Sequence, residues 1–257
     1  MLVVSAATTD EHTALVSAAY SINSLLSLED TVNGANLPAD MLLGNATLTL
    51  AGPNGKPDTL QYLADGLYGN RSLNLRPGAT YNLDIYQPGK GLVATASTTY
   101  FPAPDIDTML IKVDRTAQDT TITLTVKLGS VAKSDYYFVS YHSSVKGRKG
   151  GTSPDAMPAT LASFSPKQLT LLSGEEMQQG SLVKTIPLTC RSNDTLLVHA
   201  AKIDKAYYDY LTMYKRSGAL INQLTGEPIN LPSNVVKGLG YFALSVPVRS
   251  VFYLQDH

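Results

Sequence analysis

The sequence predicts a mainly β protein: an N-terminal immunoglobulin-like β-sandwich, then a second β-rich sandwich or barrel domain carrying one tyrosine-rich helix. Three observations predict it. Apolar and polar residues alternate with period two over many short runs, as half-buried strands require. Gly, Pro and Asn-Gly punctuation interrupts those runs about every ten residues, the rhythm of a sandwich and not of a βαβ fold. Charged residues make up only 16% of the chain against 44% hydrophobic, and threonine, serine, glycine and tyrosine take the place of charge.

The elements follow in order. Leu2-Val3-Val4-Ser5-Ala6 enters a strand pattern at once, and a second strand is expected near Thr13 to Tyr20. The stretch from Ser17 to Gly44 is less regular, and Asn33-Gly34 and Leu37-Pro38 place a long loop there. Ala46 to Leu50 alternates cleanly, Pro53-Asn54-Gly55-Lys56 supplies a hairpin turn, and Leu60 to Leu63 returns. Arg76-Pro77-Gly78 puts glycine where a type II turn needs it. Tyr81, Leu83 and Ile85 then share one face, with Asn82 and Asp84 on the other. Gly89-Lys90-Gly91 turns again before a strand from Leu92 to Tyr100. Phe101-Pro102-Ala103-Pro104-Asp105 reads as a linker, because two prolines in an extended stretch end ladders and disfavour helix. The domains are therefore expected at 1–102 and 103–257.

In the second half Ile122, Leu124 and Val126 alternate with Thr121, Thr123, Thr125 and Lys127. Tyr136 to His142 is an aromatic strand with Tyr137 and Tyr141 on one face and Tyr136 on the other. Lys146 to Pro154 is a basic, glycine-rich loop; Val183 to Leu188 and Thr195 to Ile203 are further strands. One helix is expected near 204–217. Asp204 is its N-cap, Tyr207, Leu211 and Tyr214 recur at helical spacing with Tyr210 beside them, and Gly218 stops it. Its tyrosine face is expected to pack across a sheet. A last strand is expected from Tyr241 to Val246.

Several chemistries find little footing. A net charge of -1 gives no basic field for nucleic acid. The single cysteine, Cys190, reads as a small buried apolar residue. His12, His142, His199 and His257 stand without a Gly-x-Ser-x-Gly elbow, so hydrolytic chemistry is the least favoured of three functional readings. There is no His-Glu-x-x-His and no cysteine pair. Asp105 and Asp107, with Asp114 and Asp119 nearby, make a calcium ion conceivable, but a solvated linker edge is the preferred reading. Gly147 to Thr152 lacks the Walker order for phosphate. No cofactor, metal or catalytic residue is expected. No run reaches the roughly 18 apolar residues of a membrane span, and no leader precedes Met1, read either as a cytoplasmic start or as standing where a processed segment was removed.

The two most distinctive blocks lie near the end. One is Tyr207-Tyr208-Asp209-Tyr210-Leu211; the other is Asn234-Val235-Val236-Lys237-Gly238-Leu239-Gly240-Tyr241-Phe242. Together, after two β-rich regions and a proline-marked linker, they resemble the end of the lipoproteins of Bacteroidetes catalogued as domain of unknown function 4249. The likeness covers nearly the whole chain. It implies a cell-envelope, outer-membrane-associated protein, held to the membrane only through a lipid anchor absent from this sequence. It also implies a non-enzymatic accessory role beside a TonB-dependent outer-membrane receptor, with a small ligand of unknown identity. A surface adhesion or assembly module is the alternative. Tyr207, Tyr208, Tyr210, Asn234, Gly238, Gly240 and Phe242 are the family-motif residues, and all are expected to be structural. The residues themselves give a reason: glycines flanking Leu239 permit positive φ or a close backbone approach, and Asn234 brackets the turn through its side chain.

Overall fold

The computed structural model describes residues 2–10, 12–20, 42–115, 120–145, 169–176, 181–188, 194–217 and 231–254. Seven strands come first: β1 (Leu2–Asp10), β2 (Thr13–Tyr20), β3 (Thr47–Ala51), β4 (Pro57–Ala64), β5 (Leu67–Asn70), β6 (Thr80–Gln87) and β7 (Gly91–Phe101). Six follow the proline-marked stretch: β8 (Ile106–Arg115), β9 (Thr120–Leu128), β10 (Tyr136–Val145), β11 (Leu169–Ser173), β12 (Ser181–Leu188) and β13 (Asp194–Ile203). Helix α1 (Lys205–Ser217) precedes β14 (Val235–Val236), β15 (Gly238–Tyr241), β16 (Leu244–Ser245) and β17 (Val248–Tyr253). The protein is mainly β with a single helix among the described residues, in the class that the alternation predicts.

The first seven strands build one sheet in the order β7-β6-β3-β4-β5-β2-β1. Its inner face carries Val4, Val16, Leu48, Leu50, Leu83 and Ile85, each at most 1% exposed. The Asn54-Gly55 turn joins β3 to β4 as read from the sequence, with Gly55 at φ 70°. The sheet does not end at its first and last strands. β14 adds antiparallel to β7, Val235 opposite Ala96, and β15 adds parallel to β1, Leu2 opposite Gly238 and Val4 opposite Gly240. Only Lys237 separates β14 from β15, so the two outer edges of the sheet are joined through one residue and the sheet is nearly closed, like a barrel. β16 also pairs with β7, parallel, at Tyr100 and Phe101. Residues 235–245 are thus part of the sheet built by the segment before residue 102.

β12-β9-β8 form a three-stranded sheet and β11-β10-β13-β17 a four-stranded one. Ile122, Leu124 and Val126 of the first face Val139, Leu196 and Val198 of the second across one core. This is the seven-strand sandwich architecture of immunoglobulin-like domains. Tyr137 and Tyr141 point into that core and Tyr136 away from it, as their alternation requires. The outer face of the four-stranded sheet carries Phe138, Leu169, Ala201 and Ile203, and α1 covers it with Tyr207 and Leu211.

The chain end differs from the single strand expected over Tyr241 to Val246. β15 stops at Tyr241, β16 holds only Leu244 and Ser245, and β17 was not read from the sequence. Phe242 is the interruption. Both of its backbone polar groups are engaged by the Asn234 side chain, so they are not free for a ladder.

Candidate functional site

The family-motif residues other than Tyr208 converge on a clasp between the nearly closed sheet and the helix-covered face of the sandwich. Asn234 begins it. Its Nδ2 donates to the carbonyls of Phe242 at 2.7 Å and Ser97 at 2.9 Å, and its Oδ1 accepts the Phe242 N–H at 2.8 Å. One side chain therefore imitates a strand for Phe242 and ties it to β7. Ser233 Oγ accepts the N–H of Val235 at 3.1 Å and fixes the entry to β14.

Gly238 and Gly240 seat the next strand. A Cβ on Gly240 would stand 2.1 Å from the Val4 carbonyl oxygen, and its φ of +96° lies where side chains are strained. A Cβ on Gly238 would stand 2.7 Å from Val235 Cγ1 and 3.0 Å from the Leu2 carbonyl oxygen. These glycines let β15 approach β1 at ladder distance. Lys237 makes the corner at φ 63°, a left-handed conformation that a non-glycine residue adopts at a cost.

After the glycines, side chains alternate between two cores. Phe242 and Leu244, both fully buried, enter the core of the first sheet. Tyr241 and Ala243 enter the helix cluster. The Tyr241 ring stacks on Tyr207 with centroids 4.8 Å apart, and lies 5.2 Å from Tyr210. Tyr210 in turn stacks on Tyr214 at 6.4 Å. Tyr208 lies apart from this stack, 5.0 Å from Tyr136. Asp204 serves two elements: its Oδ1 accepts the Tyr207 N–H at 2.6 Å, the expected N-cap bond, and the Tyr241 hydroxyl at 3.3 Å. The second bond could not be read from the sequence, because it joins residues that only the fold brings together.

The environment holds the phenols in their neutral form. Burial pushes Tyr207 well above its ordinary value of 10.0, with Tyr210, Tyr241 and Asp204 adding to the shift. Burial and then the Asp204 carboxylate raise Tyr241, and burial raises Tyr210. The Tyr207 hydroxyl is buried with no hydrogen-bond partner among the described residues. On the helix surface Lys205 pairs with Asp209 at 2.7 Å, one turn along.

A second polar cluster holds the loop before β10. Asp135 accepts from the Ala132 N–H and the Tyr137 hydroxyl, both at 3.1 Å, and pairs with Lys202 at 2.7 Å. Burial raises its pKa, but these donors and the Lys202 charge outweigh burial and hold the carboxyl below the ordinary 3.8. Ala132 and the neighbouring backbone leave room only for glycine at 174, where a Cβ would meet the Ala132 oxygen at 2.0 Å.

Asp105 and Asp107 do come together. A Cβ on Gly129 would lie 2.2 Å from Asp105 Oδ2 and 3.0 Å from Asp107 Oδ1, so both carboxylates crowd over that glycine. Lys127 stands 3.7 Å from Asp107. Among the described residues no group of three or more His, Cys, Asp or Glu is placed to hold a metal ion. His12 Nδ1 lies 2.9 Å from the Leu73 carbonyl oxygen, and His199 is buried on β13 opposite Ser140. The His142 side chain, His257, Cys190, Asp119, Gly218, the loop from Lys146 to Pro154 and the Asn33-Gly34 and Leu37-Pro38 turns lie outside the described residues. No helix among the described residues is long and apolar enough to cross a membrane.

The fold and its clasp define a two-part β protein whose end motif joins the parts. The chain belongs to the family described as Domain of unknown function (DUF4249), whose sequence model matches residues 1–249. No curated protein matches it. Among solved structures it is similar to a cytokine receptor complex (crystal form 1A), at 9% identity and TM-score 0.29, covering 98% of this chain and 96% of that one. A second crystal form of a cytokine receptor complex gives 12% identity and TM-score 0.31 over 79% of this chain and 92% of that one. A segment of two fibronectin type-III domains from chicken tenascin gives 12% identity and TM-score 0.25 over 98% and 97%. At these scores nothing about function passes from those proteins to this chain.

Proposed function

We propose that this chain is the ectodomain of a cell-envelope lipoprotein, associated with the outer membrane, that acts as a non-enzymatic binding or accessory protein of a TonB-dependent uptake system. The observation that carries the reading is the use to which the family motif is put. Asn234 gives its polar atoms to backbone groups, Asp204 caps a helix and holds Tyr241, and the two glycines admit a strand. A motif occupied in this way builds a scaffold, which fits a family that recognises a partner or a small ligand through its other surfaces. The test is chemical crosslinking in cells that express the native gene, followed by identification of the captured protein and measurement of uptake in a deletion strain. Capture of a TonB-dependent receptor with impaired uptake of one nutrient is the expected result. A deletion that leaves every uptake rate unchanged, with no receptor captured, overturns the proposal.

A second reading, a surface adhesion or assembly module, is favoured by β17. It pairs on one side with β13, and Val251 and Tyr253 on it are 37% and 48% exposed. Concentration-dependent self-association in sedimentation experiments, lost in Val251→Lys, would support that reading over the first.

A further inference from the structure

We infer that residues 234–245 act as a latch that makes opening of the first sheet and loosening of the helix cluster one event, released at Asn234. The inference goes beyond the proposed function and holds whatever the chain binds.

Three features carry it. The segment contributes to both bodies through neighbouring residues: Phe242 and Leu244 fill one core, Tyr241 and Ala243 the other. Successive side chains of an extended segment point to opposite sides, so the segment cannot slide or lift on one side alone. The attachment ladders are short, two residues in β14, four in β15 and two in β16, so each is weak by itself. One side chain, Asn234, bridges across these ladders. It holds Phe242 by both backbone groups and ties the pair to Ser97 of β7. Losing it leaves the N–H and carbonyl of Phe242 without those partners in a residue whose side chain is fully buried. Releasing Phe242 frees the edges of β1 and β7 and withdraws Tyr241 from its stack on Tyr207 in the same movement.

Away from the latch, burial lowers the Arg249 pKa on β17 and the Asp10 charge of β1 partly opposes it, so the two bodies also sense each other there. The reporters are therefore chosen away from β17. The experiment is amide hydrogen exchange read by mass spectrometry on the full chain, wild type against Asn234→Ala. Peptides from β1, β7, α1 and β9 are followed, β9 being within the sandwich core. Loss of the Asn234 bonds is expected to speed exchange in β1, β7 and α1 by one shared factor of about tenfold or more, with β9 unchanged. Acceleration of β1 and β7 with α1 at its wild-type rate, or the reverse, overturns the latch. Equal acceleration of all four, the mark of global unfolding, overturns it too, as does no acceleration at all. Should Asn234→Ala fail to fold, Ser233→Ala removes only the Ser233 hydroxyl's bonds to the Val235 N–H and carbonyl and is read against the same four peptides.

Discussion

The two β bodies manage their edges in opposite ways. The sandwich joins distant strands within its sheets, β9 to β12, β10 to β13 and β13 to β17, and among the described residues its sheets end at β8, β12, β11 and β17. The first sheet pairs mostly between strands close in sequence, yet strands from the far end of the chain cover part of each of its outer edges, Leu2 to Ser5 of β1 and Thr95, Ala96, Tyr100 and Phe101 of β7. An uncovered edge is a row of unpaired backbone groups that invites another chain, and closure removes it. The difference teaches where the sequence information for each body lies. The sandwich takes β17 from the far end simply as one more strand beside β13. The sheet needs a distant segment with two glycines and an asparagine in fixed places.

That contrast can be broken, beginning with the largest effect. Gly240→Val forces a side chain into the left-handed region and against the Val4 carbonyl, and at least about 4 kcal/mol of stability should be lost in urea unfolding. If the variant melts like wild type, β15 does not hold the seat described. Next come Phe242→Ala and Leu124→Ala, one in each core and both fully or almost fully buried. The first should lose about 3–5 kcal/mol and the second about 2–5 kcal/mol. Near-ultraviolet circular dichroism separates them: the chain has 15 tyrosines and no tryptophan, so the signal reports tyrosine packing. Phe242→Ala should alter it in the folded state through neighbouring Tyr241, whereas Leu124→Ala should leave the Tyr207–Tyr241 stack intact.

Asp204→Ala comes third, at about 1–2 kcal/mol for the lost cap. The same cluster sets the alkaline limit. Tyr207, Tyr210 and Tyr241 have raised pKa values in the folded state, so their contribution is complete below 10.0 and is lost as pH climbs through the higher folded values. Phenolate absorbance should therefore rise together with unfolding above that point; smooth ionisation of all tyrosines in a folded chain would contradict the buried stack. The smallest effect is acid-side. Asp135 is held below its ordinary 3.8, so its contribution is complete above that value and disappears as pH falls through the lower folded one. In Asp135→Asn that part of the acid limb should be missing from a stability–pH curve, and a curve of unchanged shape would count against the Lys202 pairing.

Much of this was legible from residues alone. Tyr81, Leu83 and Ile85 are buried where their alternation put them, Gly55 turns where Asn-Gly predicted, and Asp204 caps the helix as its place before Tyr207 suggested. The glycines at 238 and 240 signal a close backbone approach, which β1 makes. What was not legible was the partner. Nothing local to Val235 or Gly238 names β7 or β1, because strand pairing is set by non-local backbone bonds that carry little side-chain signature. β17 went unread for a related reason: its inner positions, Val248, Ser250 and Phe252, are only half-buried at a sheet edge, so its alternation is weak.

Lys237 and its neighbours also impose an order on synthesis. β1 and β7 leave the ribosome early, but the strands that cover their edges follow only after roughly 130 residues beyond the end of β7, on the order of ten seconds of translation. Through that interval the first sheet lacks the strands that cover its margins, and the sandwich still lacks β17. A chaperone that shields strand margins would have its main opportunity there, and a ribosome stalled before residue 235 would release a product able to pair with its own copies.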